Sequence, residues 1–268
     1  MRSRTLDWEA CRNARDLGGL PLRSGGETRF GAIVRSDTLR QLTPAGWQSL
    51  TAYGVRTILD LRFQVEIESD ESLAAGPGGL SRALGMPVAE RAARPAHVCT
   101  IVVSVLGQPD RELGAHFDAI SRAQPEEVAS TRAVYLEMLD RFRSNFAAAV
   151  AAVADAPDGG VLVHCHAGKD RTGLVVALLL GVADVERDSI AADYALSGTN
   201  LASSLAGWID DGDDAEEREH RRRVGLSPKQ AMHEVLEGLD ERYGGVVSYL
   251  AGAGLTDDDL ERVHRRLA

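Results

Sequence analysis

At 268 residues, the chain is long enough to bury a sizeable core as one large domain or two small ones. Lys and Arg number 30 against 40 Asp and Glu, a balance of −10, which argues against general binding to nucleic acid or an anionic membrane and leaves any anionic substrate to be captured locally. Three cysteines without paired spacing, Cys11, Cys99 and Cys165, give no disulfide framework and no zinc site, and suit a reducing compartment.

The N-terminal segment has no apolar core of signal-peptide length, and no run is long enough to span a membrane. A cytoplasmic location is expected, with export lacking a recognisable signal as the alternative. Trp8 to Gly19 reads as an arm ending in a glycine turn, followed by a polar loop over Arg23 to Thr28. Phe30 to Arg35 reads as a strand. Thr43 and Pro44 mark a helix start, as N-cap and first helical residue. Trp47, Leu50 and Tyr53 form that helix's buried face, and Gly54 stops it. Val55 to Leu61 suits an interior strand. Strand, loop and helix then recur, which favours a parallel sheet.

Between Ala74 and Glu127 the sequence says less, and Val98 to Leu106 fits a strand or a buried helix equally. From Thr131 to Ala154, Tyr135, Met138, Leu139, Phe142, Phe146, Val150 and Val153 recur at helical spacing, predicting one helix packed beside the strand at Val161 to Val163. Leu174 to Leu180 reads as a buried helix and Asp188 to Leu196 as a short one. Trp208 to Arg223 is dominated by charge and reads as a solvated helix or loop. Met232, Val235, Leu236, Leu239 and Tyr243 mark an amphipathic helix. Thr256 caps a last one through Leu267.

The chemistry concentrates between Val161 and Gly173. Five residues separate Cys165 from Arg171, enough to curl the chain into a ring whose backbone N–H groups converge on one tetrahedral anion at a helix N-terminus. The same dipoles, with the Thr172 hydroxyl, favour a thiolate on Cys165 over a thiol. Gly168 lets the backbone approach the oxyanion, and Arg171 offers a planar fork for two phosphoryl oxygens. The phosphate-binding set is therefore His166, Ala167, Gly168, Lys169, Asp170 and Arg171. His164 orders the loop and supports the thiolate, and His166 points to solvent at the rim.

The run His164-Cys165-x5-Arg171-Thr172-Gly173 resembles the phosphate-binding loop of the cysteine-dependent protein tyrosine phosphatases. Gly168-Lys169-Asp170-Arg171-Thr172-Gly173 is similar to their bacterial atypical branch. Asn13 to Gly19, Val34 to Asp37, Ile58 to Arg62 and Ala192 to Ser197 resemble further motifs of that branch. The resemblance implies an α/β fold with a central, mostly parallel sheet of about four strands flanked by helices. It also implies one domain over 1–268, a helical lid within 200–227, and helices over 228–268 packed on the core. Cys165 is then the nucleophile, forming a cysteinyl-phosphate. Asp170, inside the loop, is the general acid that the branch implies. Asp140 and Glu137, where other tyrosine phosphatases carry that acid, read as structural, and Glu90 is the nearest counterpart of a second aspartate found in the branch. Asp16, Asp60 and Arg62 read as structural anchors. No cofactor and no metal are implied. The substrate is a phosphotyrosyl protein or peptide, with phosphoinositides as an alternative suggested by Lys169 and a non-catalytic phospho-binding module as another; inorganic phosphate is the product.

Overall fold

The computed structural model of the protein describes residues 2–75 and 94–268. At its centre lies a sheet in the order β1-β2-β5-β3-β4. The strands are β1 (Arg15–Asp16), β2 (Ile33–Ser36), β3 (Val55–Asp60), β4 (Cys99–Val102) and β5 (Gly160–His164). The four strands β2 to β5 run parallel, as the sequence predicts, and β1 adds a short antiparallel edge. β5 lies between β2 and β3, with His164 opposite both Ser36 and Asp60. Three strand ends therefore meet around the loop that begins at Cys165.

The inner strands β2, β3 and β5 are covered on both faces and carry apolar residues on both sides. Val161 and Val163 join a large core with Ile33 and Leu59, whereas Leu162, Val34 and Ile58 join a smaller one with Trp47 and Leu50. Over the smaller core lies α1 (Pro44–Tyr53). It is capped by Thr43, whose hydroxyl accepts from the Gly46 N–H at 3.1 Å, and is stopped by Gly54 at φ 105°. After β3 comes α2 (Gln64–Ala75). The stretch left open between strand and helix forms β4, an edge strand whose side chains are mostly exposed.

The single helix expected over Thr131 to Ala154 is two. After α3 (Arg111–Arg122) come α4 (Glu127–Arg141) and α5 (Arg143–Ala154), broken at Phe142 with φ −114° and ψ 28°. The Phe142 N–H closes the first helix on the Met138 carbonyl, and the Phe142 carbonyl opens the second by accepting from Asn145 and Phe146. Asn145 Nδ2 also reaches the Ser104 carbonyl at 3.3 Å and Arg143 Nε the Tyr249 carbonyl at 2.9 Å, contacts remote in sequence that fix the bend. Of the two, α5 packs beside β3, while α4 packs chiefly against α9 (Lys229–Tyr243).

α6 (Asp170–Val182) follows the loop and is buried on nearly every side. The short helix expected over Asp188 to Leu196 is instead α7 (Arg187–Asp210). It runs on past Ser197, whose hydroxyl accepts from the Arg15 and Arg35 guanidinium groups at 3.0 and 3.4 Å. The charged run folds as α8 (Ala215–Gly225), with Asp214 as N-cap, Glu216 and Glu217 in the first turn and Arg222 and Arg223 in the last, the order that the helix dipole favours. α10 (Val246–Ala251) and α11 (Asp257–Leu267), the latter opened by a Thr256–Asp259 capping box, pack on α6. Among the described residues, no helix is long and apolar enough to cross a membrane.

Candidate active site

The loop from Cys165 to Lys169 leaves the end of β5 with its carbonyls taken from outside. The Thr38 N–H donates to the His166 carbonyl at 2.8 Å. Asn13 Nδ2 donates to the carbonyls of Ala167 and Gly168 at 3.2 and 3.1 Å, and Arg35 Nη2 to that of Gly168 at 2.7 Å. Among the described residues, none of the N–H groups of residues 166–171 donates to a protein acceptor. Unpaired amides at the start of a long helix are the makings of an anion site. Gly168 sits at φ 66°, and a Cβ there would lie 2.1 Å from the Ser36 carbonyl oxygen. Its lack of a side chain thus serves the seating of the loop on β2, rather than the approach of an oxyanion.

Cys165 is buried, at 2% exposure. His164 is buried beside it, and its Nδ1 lies 3.0 Å from the Cys165 carbonyl oxygen, so that nitrogen carries the proton. Burial holds the imidazole below its ordinary value despite the nearby Asp60 carboxylate, leaving it neutral. His164 therefore acts on the backbone of Cys165; its hydrogen bond goes to the carbonyl and not to sulfur. Thr172 is fully buried, and its hydroxyl has no hydrogen-bond partner among the described residues. His166 is exposed at the rim, as expected.

Arg171 is gripped by a residue that sequence reasoning missed. Its Nη1 and Nη2 donate to the two oxygens of Glu66 at 2.6 and 3.0 Å, and its guanidinium lies 5.3 Å from the centre of the Phe63 ring. Burial works against the Arg171 charge, but Glu66 and Cys165 outweigh it and raise the guanidinium above its ordinary value. Burial likewise opposes ionisation of Glu66, and Arg171 overcomes it. The signal was present: Glu66 opens the helix after β3, on the same edge of the sheet as Cys165, and caps the Phe63 N–H at 2.8 Å.

Asp170 faces the same region, and its Oδ1 accepts from the Tyr135 hydroxyl at 2.5 Å. Lys169, expected at the surface or meeting a second phosphate, is instead 6% exposed. Its ammonium donates to the carbonyls of Val224 and Leu226, the latter at 3.0 Å, which tethers the end of α8 to the loop. α8 is further tied by Glu217 to Arg122 at 2.6 Å and by His220 to Asp118 at 2.9 Å. Two cavities, of about 420 and 550 Å³, flank the loop; Lys169, Asp170, Trp208 and Val224 line both.

Behind the loop, Asp193 receives Arg15 at 3.1 Å, Arg35 at 2.8 Å and Arg4. Asp37 accepts from the backbone N–H groups of Arg12 and Asn13 and from the Cys11 thiol, each at 3.0 Å. Burial, with Asp37 alongside, pushes the Cys11 thiol far above its ordinary value. The anchors read from sequence behave as such. Asp60 binds Arg62 Nη2 at 2.8 Å, and Asp16 accepts from the N–H groups of Gly18 and Gly31 at 2.6 and 2.7 Å. Asp140 accepts from Tyr243 and Arg242, and Glu137 pairs with His116. Glu90 lies outside the described residues.

The motif at the end of β5, the unpaired amides and the anchored guanidinium make this the chain's candidate site for a tetrahedral anion. A family model described as the tyrosine phosphatase family matches residues 6–268. The chain is similar to a tyrosine-protein phosphatase of Nostoc commune, 29% identical over 88% of this chain and 74% of that protein. It is also similar to the triple specificity protein phosphatase PtpB of Mycobacterium tuberculosis, 26% identical over 88% of this chain and 90% of that protein. A match across nearly the whole chain, meeting a loop of this geometry, places the protein in the tyrosine phosphatase family.

Proposed function

We propose that this phosphatase acts on phosphotyrosyl proteins by double displacement at phosphorus, through Cys165. In the first step Cys165 sulfur bonds to phosphorus as the bond to the tyrosyl oxygen breaks. The electron pair goes to that oxygen, and Asp170 gives it a proton. In the second, water attacks phosphorus, Asp170 takes its proton, and the sulfur leaves as thiolate with inorganic phosphate as the other product.

The amides of residues 166–171 stabilise the equatorial oxygens, and the outward pinning of the loop's carbonyls is the observation that carries this reading. Glu66 takes one N–H from each Nη of Arg171, which leaves the Nε–H and the neighbouring Nη–H as a parallel pair for the phosphoryl group. The unpartnered Thr172 hydroxyl supports the thiolate. The end of α7 together with α8 acts as the lid, tethered in its closed position by Lys169. Because that ammonium already serves two carbonyls, it gives little support to phosphoinositides as the principal substrate. The name of the mycobacterial relative supports a specificity broader than phosphotyrosine. A non-catalytic binding module is disfavoured, since Cys165 and Arg171 are both present.

The test is Cys165→Ser assayed against phosphotyrosyl peptides, phosphoseryl peptides and short-chain phosphoinositides. The variant is expected to bind vanadate or a phosphopeptide and release no phosphate; appreciable turnover would remove Cys165 as the nucleophile. Release from lipids exceeding release from peptides by the wild type would reverse the choice of substrate.

A further inference from the structure

Asp170 carries its hydrogen bonds on one side. Its Oδ1 receives the Tyr135 hydroxyl at 2.5 Å and has Lys169 Nζ at 3.4 Å. Among the described residues, Oδ2 makes no hydrogen bond. Tyr135 is itself 2% exposed, and its oxygen lies 2.9 Å from that of Tyr194, which is 1% exposed. A phenol has one proton. Since a carboxylate oxygen can only accept from Tyr135, the Tyr135 proton goes to Asp170 and Tyr194 must donate to Tyr135. The two rings meet edge to face at 5.9 Å, and Tyr194 packs against the first turns of α6 at Gly173, where a Cβ would lie 3.0 Å from its ring. Burial, with Asp170 and Tyr194 alongside, raises the Tyr135 phenol well above its ordinary value, which favours the form that donates to Asp170.

We propose that Tyr135, backed by Tyr194, is a positioning residue for proton transfer: it fixes Asp170 by Oδ1 so that the transferable proton resides on Oδ2. Resting on the reading of Asp170 as the general acid, the proposal adds which oxygen acts and what orients it. In the first step the Oδ2 proton passes to the leaving oxygen as the P–O bond breaks, and Oδ1 keeps its bond from Tyr135. In the second step the attacking water returns a proton to Oδ2. The Tyr135 proton is never transferred.

The experiment measures kcat and KM for aryl and alkyl phosphates of graded leaving-group acidity, with wild type, Tyr135→Phe, Tyr194→Phe and Asp170→Asn. General acid catalysis contributes on the order of 10²–10⁴-fold, and only where the leaving oxygen needs the proton. Tyr135→Phe is expected to lower kcat for the poorest leaving groups by about tenfold or more relative to the best, with KM little changed, and Tyr194→Phe to act in the same direction more weakly. In kcat/KM, which reports the first step, a loss equal across the series, or no loss, in Tyr135→Phe while Asp170→Asn steepens it overturns the positioning role and spares the acid. An unchanged series in Asp170→Asn overturns the acid itself. Should Tyr135→Phe not fold, Tyr194→Phe decides: a series parallel to wild type overturns the proposal.

Discussion

Asp193 is one carboxylate facing three buried or half-buried guanidinium groups, those of Arg15, Arg35 and Arg4. Burial works against its ionisation, yet Arg15, Arg35 and Arg4 hold it well below the ordinary carboxylate range. The arginines pay in turn: burial and the neighbouring Arg35 lower Arg15 to about 10. A carboxyl depressed in the folded state contributes stability that is complete above the ordinary carboxylate value, near pH ~4, and is lost as pH falls through the folded value. Replacing it by Asn leaves the cations uncompensated. Asp193→Asn is expected to cost about 3–5 kcal/mol at neutral pH and to flatten the acid side of the stability profile. Urea unfolding between pH 3 and 7 checks both. Because Arg35 also holds the Gly168 carbonyl, the loss should extend to phosphate binding.

α8 shows what a run of charge can and cannot say. Its solvated character was plain from composition, but its place over the loop is set by Arg122, Asp118 and the Lys169 tether, all distant in sequence. The Asp214 carboxylate caps it, accepting from the Glu217 N–H at 2.8 Å. Asp214→Ala is expected to destabilise α8 locally by about 1 kcal/mol and to speed amide exchange across residues 215–225, leaving β5 protected. Hydrogen exchange read by mass spectrometry checks it. Capping was legible at Thr43 with Pro44, at Gly54 and at Thr256, where the turn chemistry is local and unmixed with other charge. The break at Phe142 was not, because its apolar spacing continues unchanged from α4 into α5 and the cause lies at Ser104 and Tyr249. β4 was ambiguous for another reason. An edge strand buries little, so an apolar run there carries no period to read.

At the scale of the molecule, the parallel sheet was predictable from the recurring order of strand and helix, whereas the position of β5 between β2 and β3 was not, since no local signal encodes which strands pair. That central position is what gathers Asn13, Arg35, Glu66 and Asp193 round one loop. The loop itself was legible because its seven-residue span from Cys165 to Arg171 is contiguous. Of its supports, Asn13, Arg35 and Asp193 fall in stretches whose family likeness was legible, but their contacts with the loop, and Glu66 altogether, were not, because the four come from separate segments of the chain.

The chain has three tryptophans. Trp8 and Trp47 are sealed in the smaller core at 4% and 8% exposure, but Trp208 is 42% exposed, lines both cavities and lies 5.4 Å beneath the Arg221 guanidinium. Tryptophan fluorescence therefore has a single exposed emitter, and it stands where the two cavities meet. Acrylamide titration with and without vanadate should change the quenching of that emitter alone, a built-in optical gauge of how that junction responds when an anion arrives.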